Sequence, residues 1–284
     1  MDLPSNILTL LGVMLGLTLG SFLNVVIMRF PSQLYFQWQK ECRDYLDIEN
    51  QGDIRKSPNI IFPRSHCFSC KANLSFVQNI PILSFVALRG RCAHCAAIIS
   101  PQYPVVETLG AIATTIALLN FGLTFPAAGA MIFSYCLIVL GFIDLREKLL
   151  PDEITLPLLW LGLIINIEGT FASLEASVIG AIFGYLILWS LFWTFKLVTG
   201  KEGMGYGDFK FLAALGAWLG WQMLPLVLLM ASSMALFAGV IGIISKRLDR
   251  GETIAFGPYL AIAGYFVFYL GQNAIEVYLR LSNF

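Results

Sequence analysis

Long apolar segments limit this chain to a fold built in a membrane. A helix needs about 20 apolar residues to cross the hydrocarbon core, and the sequence offers eight stretches of this length or somewhat shorter. They lie at residues 7–28, 104–121, 126–143, 154–168, 173–195, 208–221, 223–244 and 257–279. Charged residues make up 13% of the chain, whereas a soluble domain carries about 25%. We therefore predict an all-α polytopic membrane protein with about eight transmembrane helices.

The basic residues predict which side of the membrane each loop faces, because cytoplasmic loops are enriched in Lys and Arg. When the polar loop 29–103 is placed in the cytoplasm and the helices alternate, 17 of the 18 basic residues fall on that side and only Arg280 lies outside. The first segment lacks the basic start of a cleavable signal peptide, since Asp2 is the only charge before it. We expect a retained helix with its N-terminus outside.

Two aspartates lie at helix ends on the predicted cytoplasmic side. Asp144 ends the third predicted helix, and Asp208 begins the sixth after the glycine-rich run 203–207. Ionisable residues at the edge of a bilayer are costly, so they are functional candidates. Two neighbouring carboxylates can share one proton and activate a water, as in an aspartic protease. Either residue alone also fits a structural role, and Asp208 in particular has a normal N-cap placement.

The charged residues near these aspartates have simpler interpretations. Asp152 and Glu153 follow Pro151 at the start of a predicted helix, so we interpret them as capping residues rather than catalytic ones. Lys210 is expected to reach the membrane interface, or else to keep one of the two carboxylates ionised. The glycines of the run 203–207 allow a tight turn and a close approach to a substrate strand.

Four cysteines of the polar loop form two CxxC pairs. Cys67 pairs with Cys70, Cys92 pairs with Cys95, and 21 residues separate the pairs. This spacing fits a tetrahedral thiolate zinc site with one knuckle from each pair. A cytoplasmic location disfavours disulfides. Because four thiolates leave no open coordination position, we predict a structural zinc bound by these four cysteines.

Other residues of this region have less specific signals. His66 and His94 flank the CxxC pairs, so they are either alternative ligands or ordinary loop histidines. Cys42 and Cys136 have no partner in the pattern, and we expect them to be inert. The polar stretch 33–60 predicts a short solvated helix followed by a loop. Its charges balance in sign, so we expect no nucleic-acid partner.

Three glycines of the first segment lie four residues apart, at Gly12, Gly16 and Gly20. This spacing places small residues on one face of a helix, where another backbone can approach closely. We predict tight packing within the helix bundle at this face; substrate docking there is the alternative.

Several runs of the sequence resemble those of one known family and follow its order. They are residues 20–31, the two CxxC pairs, and residues 79–85, 88–92, 100–107, 142–152, 201–210 and 256–259. On these runs, which extend over nearly the whole chain, the protein resembles the type IV prepilin peptidases of type IV pilus and type II secretion systems. Members are also called prepilin leader peptidase/N-methyltransferases. Two departures are small: Arg146 stands where members often carry an acidic residue, and Phe68 where many carry proline.

The resemblance implies a membrane aspartic protease of the GxGD type, with Asp144 and Asp208 as its catalytic pair. It also implies an eight-helix fold, a zinc-binding cytoplasmic loop, and N-methylation of the new N-terminus with S-adenosylmethionine. The substrates would be prepilins and pseudopilins, processed at the cytoplasmic face of the bacterial inner membrane. The cysteine loop favours this bifunctional type over a preflagellin peptidase. No residue is predicted to bind S-adenosylmethionine.

We expect the chain to have three parts: a first transmembrane helix (1–28), a cytoplasmic tetracysteine zinc loop (29–103) and a transmembrane aspartic peptidase core (104–284). The expected partners are the protein substrates and membrane lipid. Two other functions stay open. A proton-coupled transporter could use the two aspartates, although transporters tend to show paired repeats and we find none. A non-enzymatic secretion-system scaffold could use the zinc loop for docking.

Overall fold

The computed structural model describes residues 4–47, 59, 65–75, 77–201, 203–246 and 254–282. Within these ranges the regular structure is helical, and pairing between extended segments is limited to two isolated bridges. The α-helices are α1 Ser5–Tyr45, α2 Leu83–Ala87, α3 Gln102–Phe121, α4 Phe125–Glu147, α5 Asp152–Ile165, α6 Leu174–Thr199, α7 Tyr206–Leu219, α8 Leu224–Ile244 and α9 Gly257–Ser282. The predicted all-α fold is confirmed.

Each of the eight predicted apolar segments coincides with one of these helices. Within the described residues, five helices are long and apolar enough to cross a membrane: α1, α3, α4, α6 and the helix that contains α8. By contrast, α5 and α7 have 14 residues each. This length is about 21 Å at 1.5 Å per residue, less than the roughly 30 Å of a hydrocarbon core. The chain is a polytopic membrane protein in which short helices accompany full-length ones.

Contacts divide the chain into two compact units, residues 1–139 and 140–284. In the first unit, α1 and α3 pack with their backbones in direct contact. A Cβ on Gly16 would lie 2.5 Å from the Cα of Ala111, and Cβ atoms on Gly12 and Gly20 would lie 2.7 and 2.8 Å from other Cα atoms of α3. A larger residue at any of these positions would separate the helices. The predicted packing role of the three glycines is confirmed.

The first helix is longer than predicted. Instead of ending near residue 28, α1 continues through Pro31 to Tyr45. The short polar helix expected after residue 33 is therefore the C-terminal part of α1 and not a separate helix. Pro31 removes one backbone hydrogen bond, but the residues after it include good helix formers such as Leu, Gln, Lys and Glu. Residues 48–58 and 60 of the expected loop lie outside the described ranges.

In the second unit, α7 is the central helix. All its residues from Phe211 to Leu219 are buried, because α5, α6, α8 and α9 pack around it. The contact with α6 is a backbone approach, since a Cβ on Gly180 would lie 2.4 Å from the carbonyl oxygen of Gly216. Protein rather than lipid covers α7, so it need not match the thickness of the bilayer.

A buried asparagine closes the end of α7 that lies opposite Asp208. Asn166 is fully buried, and its Nδ2 donates to Ser177 Oγ (2.9 Å) and to the carbonyl of Ala217 (3.0 Å). Its Oδ1 accepts the backbone N–H of Phe171 at 2.9 Å. The side chain thus satisfies a carbonyl that the end of α7 would leave without a partner.

Candidate active site and metal centre

The four cysteines of the two CxxC pairs converge in one cluster. Their sulfur atoms all lie within 4.8 Å of one another, and the Sγ atoms of Cys67 and Cys95 are 3.8 Å apart. A regular tetrahedron with zinc–sulfur bonds of about 2.3 Å also has sulfurs roughly 3.8 Å apart. Four sulfur donors select a metal such as zinc over magnesium or calcium. The residues therefore fit a tetrahedral zinc ion.

The two CxxC pairs lie on two copies of one backbone turn, here called the first and second CxxC turns (residues 65–74 and 90–99). In each copy the N–H of the first cysteine donates to the carbonyl five residues later, at 2.9 and 2.8 Å. An isolated antiparallel bridge closes each copy, between His66 and Asn73 and between Arg91 and Ile98. The residue after the second cysteine has a left-handed φ, 59° in one copy and 56° in the other. The copies are related by a shift of 25 residues, from His66 to Arg91.

The first turn also favours ionisation of one thiol. The backbone N–H groups of Cys70 and Ser69 lower the pKa of the Cys67 thiol to about 6. A thiolate formed there opposes ionisation of the neighbouring thiols, because like charges repel. A cation at the centre removes this conflict and allows all four thiolates to form together.

The two histidines of the loop lie outside the metal cluster. Among the described residues, the group that could hold a metal contains the four cysteines alone. The backbone N–H of His94 donates to the sulfur of Cys92 at 3.5 Å, and the ring of His66 lies 6.1 Å from that of Phe68. The alternative of a histidine ligand therefore has no support in the geometry.

Asp144 lies in the last turn of α4 and is only 5% exposed. Its Oδ2 accepts the backbone N–H of Gly257 at 2.8 Å. Because α9 begins at Gly257, the positive end of that helix dipole faces the carboxylate. A Cβ on Gly257 would lie 2.7 Å from Asp144 Oδ2, so this approach requires glycine.

Asp208 is the third residue of α7 and is 8% exposed. The N-cap of α7 is Gly205, so the N-cap placement considered for Asp208 is wrong. Its carboxylate lies beside this N-cap residue instead, since a Cβ on Gly205 would be 3.8 Å from Asp208 Oδ2. Ring contacts of Phe192 on α6 with Tyr206 and Phe209 on α7, at 5.3 and 5.7 Å between centroids, hold the start of α7 against α6.

The two carboxylates lie near each other in the second unit. The charge of Asp144 acts on Asp208, so the residues are within electrostatic range. Two ionised carboxylates at such range repel, whereas a pair that shares one proton does not. The arrangement can therefore supply one proton acceptor and one proton donor to a water and a carbonyl group.

Gly207 packs against the connection between α4 and α5. A Cβ at this position would lie 2.8 Å from the Cβ of Leu150. The glycines of the run 203–207 do not have left-handed φ angles. Close packing, rather than a special turn, is the reason that Gly207 must be glycine, and it brings the start of α7 near the end of α4.

Lys210 binds a different carboxylate from the two considered. Its Nζ lies 2.8 and 2.6 Å from the two carboxylate oxygens of Asp152. The side chain therefore neither extends to the interface alone nor pairs with Asp144 or Asp208. Asp152 and Glu153 lie in the first turn of α5 as interpreted from the sequence, where negative charge is favourable at the N-terminus of a helix. Asp152 forms the ion pair with Lys210 in addition.

The chain is thus a polytopic helical membrane protein with two buried carboxylates at helix ends and a tetracysteine cluster. The chain belongs to the type IV leader peptidase family, whose sequence profile matches residues 131–240. The profile of the bacterial peptidase A24 N-terminal domain matches residues 14–121. The first matched range contains Asp144 and Asp208, and the second contains all four cysteines of the cluster.

Full-length relatives are similar over almost the whole chain. The prepilin leader peptidase/N-methyltransferase of Aeromonas hydrophila is 48% identical over 269 residues, which cover 95% of this chain and 92% of that protein. The protein of the same name from Pseudomonas aeruginosa is 45% identical over 272 residues, with 96% and 93% covered. No solved structure shows a significant match. The family favours an enzyme over the transporter and scaffold alternatives.

Proposed function

We propose that this chain is a membrane aspartic endopeptidase that removes the basic leader of type IV prepilins and pseudopilins and then N-methylates the new N-terminal residue. The observation that carries the proposal is the pair Asp144 and Asp208, two buried carboxylates within electrostatic range of each other. The names of the full-length relatives support both activities.

Both carboxylates act in the proposed cleavage. The ionised one takes a proton from a water, whose oxygen bonds to the scissile carbonyl carbon, while the protonated one gives its proton to the carbonyl oxygen. A carboxyl group then protonates the amide nitrogen and the C–N bond breaks. The former carbonyl carbon, which carries two hydroxyl groups after the water has added, becomes the new carboxyl group as one of these hydroxyls returns its proton to the other carboxylate.

The substrate class follows from the predicted orientation. Both aspartates lie at helix ends that the distribution of basic residues assigns to the cytoplasmic side of the bacterial inner membrane. A cut at this depth suits a protein with a short basic leader in the cytoplasm, a small residue before the cut and an apolar helix after it. A prepilin has this form.

The tetracysteine cluster is proposed to hold a structural zinc through Cys67, Cys70, Cys92 and Cys95. No bond in the cleavage involves this metal. The zinc would instead fix the two CxxC turns to each other, because four thiolates close its coordination sphere. We assign the loop 29–103 to this centre and to methylation, and the core 104–284 to the peptidase.

S-adenosylmethionine is the proposed methyl donor. The lone pair of the new N-terminal amine bonds to the methyl carbon, the carbon–sulfur bond breaks with its electron pair kept by sulfur, and the amine releases a proton to water. The products are the N-methylated chain and S-adenosylhomocysteine.

The experiment incubates detergent-purified full-length protein with a prepilin, with and without S-adenosylmethionine, and determines product masses. We expect loss of the leader in both reactions and a gain of one methyl group only with the donor. A prepilin with a bulky residue before the cut is the control substrate and should stay intact. A prepilin that keeps its leader in the first reaction would overturn the protease proposal, and cleavage without methylation would overturn only the second activity.

A further inference from the structure

A cavity of about 290 Å³ lies in the first unit, between α1, the first CxxC turn and the start of α3. Its wall includes Asn24, Arg29 and Ser32 from α1, Ser65 and His66 from the turn, and Tyr103 from α3. Binding cavities for small molecules typically begin at about 300 Å³. Neither the aspartate pair nor the cysteine cluster lines it.

Asn24 is the buried polar group at this cavity, with 1% of its surface exposed. Its Nδ2 donates to the backbone carbonyl of Tyr103 at 3.1 Å, which joins α1 to α3. Its Oδ1 is buried without a hydrogen-bond partner in the described part of the chain. A buried acceptor without a partner calls for an explanation, and a ligand in the adjoining cavity can supply the missing donor.

The duplication of the CxxC turn provides an internal comparison. The cavity is bordered by the first copy, where His66 and Phe68 line it. The equivalent positions of the second copy are Arg91 and Ala93. Because both copies contribute two cysteines to the same cluster, the metal does not account for the difference. Two aromatic rings at these positions are therefore specific to the copy that lines the cavity.

We propose that this cavity binds the methyl donor, S-adenosylmethionine. The proposal rests on the proposed methyltransferase activity and gives it a site. The guanidinium group of Arg29 matches the carboxylate of the donor, and it is oriented by a hydrogen bond to the carbonyl of Asn59 at 3.1 Å. Aromatic faces attract a cation such as the sulfonium group and also stack on adenine. The hydroxyls of Ser32 and Ser65 suit the ribose.

The position of the cavity along α1 agrees with this ligand. The apolar part of α1 ends at about residue 28, and Arg29 is the first charged residue after it. A methyl donor bound here would lie where α1 leaves the predicted cytoplasmic face of the membrane. The amine that accepts the methyl group is released at the same face by a cut at the leader–helix junction.

The test measures S-adenosylmethionine binding by calorimetry with zinc-loaded, full-length protein. Ser32→Trp and His66→Leu obstruct or alter the cavity from two different elements, and Arg91→Leu makes the equivalent change in the second CxxC turn. We expect affinity to fall at least tenfold, or about 1.4 kcal/mol, in the two cavity variants and to stay unchanged in Arg91→Leu. Zinc content and leader cleavage should be retained in all three.

Unchanged affinity in both cavity variants would overturn the proposal and leave the proposed function intact. If His66→Leu loses zinc, Ser32→Trp decides, because residue 32 lies on α1 outside both CxxC turns. Competition by S-adenosylhomocysteine is expected, whereas competition by an anionic phospholipid would assign the cavity to a lipid headgroup and contradict the proposal. A wild-type protein that cleaves prepilin without binding the donor would overturn both this site and the methyltransferase activity.

Discussion

Each of the two aspartates lies against the backbone of a glycine. Gly257 donates its N–H to Asp144 from the start of α9, and a Cβ on Gly205, the N-cap of α7, would be 3.8 Å from Asp208 Oδ2. The donor of Gly257 is fixed by the helix that carries it, so it needs no reorganisation to hold the carboxylate of Asp144. At the scale of single residues, the site therefore depends on glycines as much as on acids.

Gly257→Ala tests this dependence. The added methyl group would lie 2.7 Å from Asp144 Oδ2, so the carboxylate must move. A misplacement of about 1 Å can cost a factor of about 100 in rate, so we expect turnover to fall by about 10- to 100-fold. Gly141→Ala is the matched control, because it adds a methyl group in the same α4–α9 contact, 3.3 Å from the Cβ of Ala261. Leader cleavage should fall in the first variant and change little in the second. Equal rates would show that the contact has no role in catalysis.

The sequence identified the two candidate acids but not the contacts that hold them. Asp144 and Asp208 were identifiable because a charge at the edge of an apolar segment is costly and rare. The contact between Gly257 and Asp144 joins residues 113 positions apart, and no local pattern encodes it. The partner of Lys210 was missed for the same reason, since Asp152 is 58 positions away.

At the scale of helices, close backbone approaches through glycine recur in both units. Gly16 contacts α3 in the first unit, and Gly180 contacts α7 in the second. Lipid is as apolar as the side chains of these helices, so association depends on tight packing rather than on hydrophobic burial. The position of Asp208 is thereby linked to the contact between α6 and α7.

Gly180→Ala is expected to destabilise the second unit. Its new Cβ would lie 2.4 Å from the carbonyl oxygen of Gly216, and overpacking of this kind costs about 1–3 kcal/mol. Val178→Ile adds one methyl group to an exposed position of the same helix and should leave stability unchanged. Thermal unfolding in detergent measures both. A melting temperature of Gly180→Ala equal to that of wild type would contradict the packing described for α6 and α7.

Hydropathy located the helices well and their ends less well. The spans were predictable because the bilayer fixes the apolar length that a helix must present. The continuation of α1 to Tyr45 was not, because hydropathy marks where the membrane ends and not where the helix does. The short α7 is stable in this setting because neighbouring helices cover it, which is a tertiary property.

At the scale of the whole molecule, the orientation in the membrane decides which substrates can reach the aspartates. The distribution of the basic residues predicts that the connections after α4 and after α6 face the cytoplasm. Arg247 and Arg250, which contribute to this assignment, lie outside the described part of the chain.

Cysteine labelling tests this orientation. Leu123→Cys lies in an exposed connection on the predicted outer side, and Lys201→Cys lies in one on the predicted inner side. In spheroplasts, a membrane-impermeant maleimide should label the first variant and not the second, and permeabilisation should expose the second. The reverse pattern would place the aspartates outside the cell and refute cleavage at the cytoplasmic face.

The most direct test of the account is the rate of prepilin cleavage by purified Asp144→Asn and Asp208→Asn. Each substitution keeps the shape of the side chain and removes its ability to exchange a proton. We expect each to lower turnover by at least about 1,000-fold, with melting temperature and zinc content retained. Asp152→Asn, which breaks an exposed ion pair worth about 0–1 kcal/mol, should cleave at nearly the wild-type rate. Full cleavage by either of the first two variants would contradict the assignment of Asp144 and Asp208 as the catalytic pair.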